Sequence, residues 1–168
     1  MSDVCSIRTA SPQDGHAIQV LLEASYPTLF RPWYAEEILA VALPLMTRAN
    51  PLLLISGRYF VAETEEREIA GCGGWSPERP GSGETEHGLG HVRHFATHPD
   101  RIRKGIGRAL LTHSIESARA EGVVRLECNS SLAAERFYRT LGFETVGPVE
   151  VDMGHGVRFP GIIMRMDL

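Results

Sequence analysis

The sequence predicts one α+β domain on a mixed, mostly antiparallel sheet of about seven strands flanked by about four helices. Three observations carry that prediction. Short apolar, partly β-branched runs recur between polar or glycine-containing turns, the signature of strands. Apolar residues recur at helical spacing around Ile18 and again after Ile106. Between the two kinds of segment, His91 to Gly122 reads in order as a strand, a basic glycine turn and a helix.

The elements follow along the chain. Val4–Thr9 is a strand candidate. Ser11-Pro12-Gln13-Asp14 then opens a helix, with serine at the N-cap, proline at the first position and an acid in the first turn. Its apolar face is Ile18, Leu21, Leu22 and Ser25, and Pro27 is expected to end it. A second helix is predicted from Pro32 to about Leu43, with Ile38, Leu39 and Val41 inward. The aromatic, proline-rich connection Tyr26–Tyr34 caps the core in one reading and walls a binding pocket in the other.

Leu52–Glu63 and Glu68–Ser76 read as a hairpin, with Ser56-Gly57 a bulge or break and Glu63–Arg67 the turn. Gly71-Cys72-Gly73-Gly74 carries so little side chain that another group should pack close there. Pro77–Gly90 reads as a mobile loop, His91–Thr97 as the central strand and Val123–Cys128 as another. A helix from Ser131 to Gly142 precedes a final antiparallel pair, Phe143–Val151 and Val157–Met166, joined by Asp152–Gly156. No repeat or linker interrupts residues 1–168, so a single domain is expected.

Charge and composition exclude several classes. A net charge of −4 argues against a general nucleic-acid binder, so the basic cluster near Arg103 suits a small anion rather than a polymer. The start, MSDVCSIRTA, has neither the basic end nor the apolar core of a signal peptide, and Ile38–Met46 is too short to span a bilayer. Cys5, Cys72 and Cys128 are distant from one another and form no C-x-x-C, which reads as buried thiols in a reducing, cytoplasmic compartment. His87, His91, His94 and His98 would converge on a helix. On a strand, 91 and 94 point to opposite faces, so no metal site is expected.

The glycine turn has its own chemistry. A helix's first turn leaves backbone N–H groups unpaired at the positive end of the macrodipole. Gly105 and Gly107 let the chain turn tightly and a ligand approach the backbone, while Arg101, Arg103, Lys104 and Arg108 surround the spot with positive charge. Such a site suits a phosphate or diphosphate. It is not a Walker loop, since G-x-x-x-x-G-K-[ST] is absent, and Leu110 stands where the dinucleotide fingerprint needs a small residue.

His98-Pro99-Asp100 followed by Lys104-Gly105-Ile106-Gly107-Arg108-Ala109-Leu110-Leu111 resembles the acyl-CoA-binding motif of the GCN5-related N-acetyltransferase (GNAT) superfamily. About 25 residues on, Ala134, Phe137-Tyr138 and Gly142-Phe143 resemble that family's second motif. The resemblance is specific over Gly90–Phe143 and weak before Gly74. Ile102 stands where the family usually has Arg or Gln, and Ser131 where it has Asn, with Asn129 nearby.

The resemblance implies a three-layer sandwich in which the strands at 91–97 and 123–128 run parallel and splay apart. It implies acetyl-CoA as cosubstrate. The pantetheine arm would lie along the backbone of Phe95, Ala96 and Thr97, and the diphosphate on the amides of Arg103, Lys104, Gly105, Ile106, Gly107 and Arg108. Asn129, Ser131, Ala134 and Phe137 would complete the cofactor wall. The implied reaction moves an acetyl group from the thioester directly to a primary amine of a small molecule or peptide, with no nucleic-acid or membrane partner. Tyr138 matches the family's general acid. His91 occupies the slot of its usual basic glutamate, with Glu86, His87 and Glu127 as fallbacks. Strand alternation places His91 with Arg93 and Phe95 on one face, opposite His94. A non-catalytic acyl-CoA-sensing domain would keep the same cleft, a chance match would leave a nucleotide-binding module, and dimers are common in the family.

Overall fold

The computed structural model describes residues 5–168. A seven-stranded sheet runs in the order β1-β2-β3-β4-β5-β7-β6, with β1 Ser6–Thr9, β2 Tyr59–Glu63, β3 Ile69–Ser76, β4 Leu89–Thr97, β5 Arg125–Ser131, β6 Glu144–Asp152 and β7 Arg158–Asp167. Among the described residues β4–β5 is the parallel pair and the others are antiparallel. Among the described residues five α-helices flank it: α1 Gly15–Phe30, α2 Glu36–Met46, α3 Pro51–Leu54, α4 Ile106–Ala120 and α5 Glu135–Thr140. The first expected strand is thus described from Ser6, and Val4 lies outside the described residues.

Strand alternation sorts the core into two layers, as a pleat must. On β2, Tyr59 and Val61 join a cluster with Ile18, Leu22 and Phe30 of α1 and Leu39 of α2. Phe60 and Ala62, between them in sequence, join the opposite cluster with Ile106, Leu110 and Leu111 of α4 and Tyr138 of α5. The sheet is therefore covered on both faces. On α4 the buried stripe is Ile106, Leu110, Leu111, Ser114 and Ala118, and Ala109 is exposed.

The predicted helix start at Ser11 forms as a short 3-10 turn, Pro12–Asp14, leading into α1. The Asp14 carboxylate accepts the Ser11 backbone N–H at 2.8 Å and pairs with Arg8 at 2.8 Å. The Arg8 guanidinium holds that carboxyl below its ordinary range.

Several boundaries differ from the sequence reading. The helix expected from Ser131 begins at Glu135 because β5 runs on to Ser131 in its pairing with β7, and β4 begins at Leu89, inside the expected loop. Pro27 lies inside α1, which runs on to Phe30. A proline this close to a helix end removes one donor, yet its own carbonyl still accepts from Arg31 at 3.2 Å, and burial of Tyr26 and Phe30 favours the extra turn. The second helix begins at Glu36 and passes Pro44 to reach Met46. Leu52–Leu54, expected as strand, is helical: the Asn50 side chain caps Leu52 N–H at 3.0 Å, and Pro51 opens the turn. Ser56-Gly57 is the break, with Gly57 at φ +75°. The 77–88 loop folds on itself through a Glu78–Thr85 bridge.

Candidate active site

The site begins where two strands part. β4 and β5 pair in register only from Leu89↔Arg125 to His91↔Glu127. Beyond that point β5 stays with β7 as far as Ser131↔Gly161, while β4 stays with β3 as far as Thr97↔Gly71. The β4 backbone past His91 therefore has no strand partner on its β5 side, and a gap opens.

A bulge sits on β4 at the same place. Cys72 faces Ala96 and Gly74 faces Arg93, so His94 and Phe95 together oppose Gly73. His94 takes a left-handed φ of +48°, uncommon for a residue with a Cβ. The extra residue inverts the alternation. Phe95 thereby joins the Gly73 face, away from Arg93 and His91, which corrects the expectation that all three share a face. Its ring occupies the space a Cβ on Gly73 would need, 2.5 Å away. This is the close approach the glycine run predicts. Two buried phenols hold the bulge: Tyr59 Oη donates to the His94 carbonyl at 2.7 Å and Tyr26 Oη to that of Phe95 at 3.0 Å. Burial raises both phenol pKa values, so both stay protonated donors.

The chain leaves β4 through a 3-10 turn, Pro99–Arg101, and reverses at two left-handed residues, Arg103 at φ +62° and Gly105 at φ +81°. Gly105 is the N-cap of α4, and the first N–H to bond back is Ala109 to the Gly105 carbonyl at 3.0 Å. The amides of Ile106, Gly107 and Arg108 thus lie in the unpaired first turn. Arg103, Lys104 and Arg108 are exposed around it, whereas Arg101 reaches Glu68 at 3.2 Å. A Cβ on Gly107 would stand 3.2 Å from the Phe137 ring and 3.7 Å from Thr97 Oγ1, so turn, strand and α5 meet there.

Between the parted strands lies a cavity of about 480 Å³. Arg93, His94 and Phe95 line it from β4, Asn129 and Ser131 from β5, and Ala134 and Tyr138 from the next segment. Apolar residues of its wall include Leu29 and Phe30 of α1, Met46 of α2 and Phe159 of β7. Tyr138 is buried among Phe95, Phe137 and Phe143, with ring centroids 6.3, 5.1 and 5.5 Å away. Burial, with the Cys128 thiol beside it, raises the Tyr138 phenol well above its ordinary range, and burial pushes that thiol up to about 12.

Of the residues singled out from sequence, Phe95, Asn129, Ser131, Ala134 and Tyr138 therefore share one cavity. Thr97, Gly107 and Phe137 meet at the start of α4 without lining that cavity, and Arg103 to Arg108 form the turn. Ala96 is buried against the α1 layer. His91 is buried at the fork itself, opposite Ser76 and Glu127, and does not line the cavity. Burial lowers its pKa, with Glu127 opposing. Of the fallbacks, Glu86 and His87 are exposed on the loop, and Glu127 lies near Arg79 and Arg165 at 4.0 and 3.7 Å. Among the described residues no three His, Cys, Asp or Glu side chains converge to hold a metal ion.

Sequence reasoning passed over Arg93 and His94 as pocket residues. A charge within an otherwise apolar central strand was the available signal for Arg93. His94 enters the cavity through the bulge, which is not written in its local sequence.

No curated protein matches the chain. Its fold matches a GCN5-related N-acetyltransferase from Rhodopseudomonas palustris (TM-score 0.81, 20% identity, covering 100% of this chain and 98% of that one). It also matches the PaiA N-acetyltransferase of Thermoplasma acidophilum, solved in complex with coenzyme A (TM-score 0.74, 16% identity, 100% of both chains). A third match is the ribosomal-protein-S18-alanine N-acetyltransferase of Escherichia coli (TM-score 0.63, 19% identity, 97% of this chain and 93% of that one). The family description "Acetyltransferase (GNAT) domain" matches residues 56–145, more than half of the chain and the whole stretch from β2 through the strand fork to α5. The chain belongs to the GNAT acetyltransferase family.

Proposed function

We propose that the protein is an acetyl-CoA-dependent N-acetyltransferase that acetylates a primary amine by direct attack on the thioester. The observation that carries this reading is the fork between β4 and β5, which has the unpaired amides at the start of α4 nearby and a cavity lined by Tyr138 within it. The amides of residues 103–108 would take the diphosphate, as helix N-termini take anions. The free β4 edge at Phe95–Thr97 would pair with the amides of the pantetheine arm, as an added strand does. Asn129, Ser131, Ala134 and Phe137 would form the opposite wall.

The chemistry then divides among this chain's residues. The acceptor's nitrogen forms a bond to the acetyl carbon as the carbon–sulfur bond breaks. Backbone N–H groups at the bulge stabilise the oxyanion. Tyr138, kept protonated by burial, donates its proton to the departing thiolate. The amine must shed a proton, since an ammonium with a pKa of ~10.4 is not nucleophilic. His91, held neutral by burial at the fork, accepts it through water.

Saturating acetyl-CoA, at about 100 times its Kd, should stabilise the fold by about 2.7 kcal/mol. For a chain of this size that is a rise in Tm of roughly 5–10 °C. Tyr138→Phe should keep that rise and lose thiol release by about 100-fold or more. An unchanged Tm at millimolar acetyl-CoA would overturn the assignment. A normal rise with no thiol release across an amine panel would leave a sensing domain.

A further inference from the structure

Among the described residues, Arg93 is a cation of the cavity wall that forms no ion pair, with Glu78 the carboxylate whose field it feels. Arg93 is half-buried on β4 and lines the cavity two residues before Phe95. Its Nη1 donates to Ser76 Oγ at 2.9 Å, and Ser76 Oγ donates in turn to the Glu78 carbonyl at 2.8 Å. That bond orients the guanidinium and supplies no negative charge. Among the described residues no carboxylate forms an ion pair with Arg93, whereas Arg8, Arg58, Arg101 and Arg125 each have one. A charge taken from water without a partner is costly. A guanidinium left with open donors in a cavity is a fork for a carboxylate.

The surroundings narrow the choice. Apolar side chains make up part of the same wall, among them Leu29, Phe30, Met46 and Phe159. The other charged group on the wall, Glu150 of β6, pairs with Arg158 at 3.9 Å and is more than half exposed, so it sits on the open side. One residue, the bulged His94, separates Arg93 from Phe95, so the two lie within two residue steps of each other, at most about 7 Å along the chain. On the acetyl-transfer reading, an amine reacting at the bulge and a carboxylate held by Arg93 fit one short molecule.

Resting on the acetyl-transfer reading, we propose that the acceptor is a free amino acid with an apolar side chain, its carboxylate bound by Arg93 and its side chain by the Leu29–Met46–Phe159 wall. Arg93 is the specificity-determining residue. Peptide amines and diamines, which lack a carboxylate beside the reacting nitrogen, leave Arg93 without a counter-charge and are poor acceptors.

The test separates binding from turnover. Isocaproate, which is leucine without its amine, and its neutral isostere isocaproamide are titrated calorimetrically into the CoA-saturated full chain. Isocaproate should bind roughly tenfold or more tighter than isocaproamide. Arg93→Gln should abolish that preference, and Arg93→Lys, which keeps the charge, should retain part of it. In thiol-release assays leucine should exceed leucinamide in kcat/KM by about tenfold or more, with the ratio falling towards one in Arg93→Gln. The CoA-induced rise in Tm of each variant shows that it is folded. Equal binding of isocaproate and isocaproamide, or undiminished isocaproate binding by folded Arg93→Gln, overturns the carboxylate subsite. Charge-dependent isocaproate binding without thiol release from any amine leaves the subsite standing and refutes acetyl transfer instead.

Discussion

His94 gives the fold a measurable sensitivity to acid. Burial, followed by the neighbouring charge of Arg93, lowers its pKa from an ordinary 6.5 to about 4. A depressed histidine pKa means that the unfolded chain binds the proton first. Stability is therefore complete above about pH 6.5 and is lost as pH falls from there towards 4. Each pKa unit corresponds to about 1.4 kcal/mol. Carried to pH 5, the shift from 6.5 to about 4 costs about 2 kcal/mol relative to pH 8. His94→Asn removes the titrating ring and keeps a residue that tolerates the left-handed backbone found there. Urea unfolding of both proteins at pH 8 and pH 5 gives the comparison, with stability read from midpoint and slope. The wild type should lose about 2 kcal/mol more than the variant between the two pH values. His91 titrates in both proteins and cancels. Identical losses would mean that the His94 ring stays in water, and the placement of the bulge side chain in the cavity would be wrong.

Two further outcomes follow from β4 and its neighbour β3. Gly73→Ala drives a Cβ into the Phe95 ring, 2.5 Å away, and should destabilise the fold by about 1–3 kcal/mol in the same urea assay; an unchanged midpoint would show that the ring moves aside freely. His91→Gln should lower turnover by about 100-fold, the low end for a general base. Since the His91 pKa lies below its ordinary value, the wild-type rate should fall as pH drops below about 6.5, and the variant should lack that acid limb. A variant that keeps both rate and acid limb would remove His91 from the mechanism.

What the chain discloses locally was readable, and what depends on distant partners was not. The reversal at Gly105 and the helix after it are set by glycine, arginine and a spacing of apolar residues within one stretch, so strand, turn and α4 emerge in order. Leu52-Leu53-Leu54 misled because a short apolar run carries no period that separates helix from strand. The deciding signal was the Asn50-Pro51 start in front of it. Pro27 misled because its cost depends on what the following turn buries, and Phe30 is buried by Phe159 from the far end of the chain, with ring centroids 5.6 Å apart. The bulge at His94 was invisible for the same reason. It exists in the pairing of β4 with β3, and no residue of His91–Thr97 announces a skipped partner. One unseen bulge was enough to put Phe95 on the wrong face and to hide His94 from the cavity.

The two phenols that grip the bulge come from different parts of the chain, Tyr26 from α1 and Tyr59 from β2. Leu29 and Phe30, one turn along from Tyr26, are apolar residues of the cavity wall. The helix that lines the cavity is therefore also bolted to the bulge of β4. Replacing Leu29 while keeping Tyr26 can recut the cavity and leave the anchoring of the bulge intact. Swapping the whole helix would alter both at once.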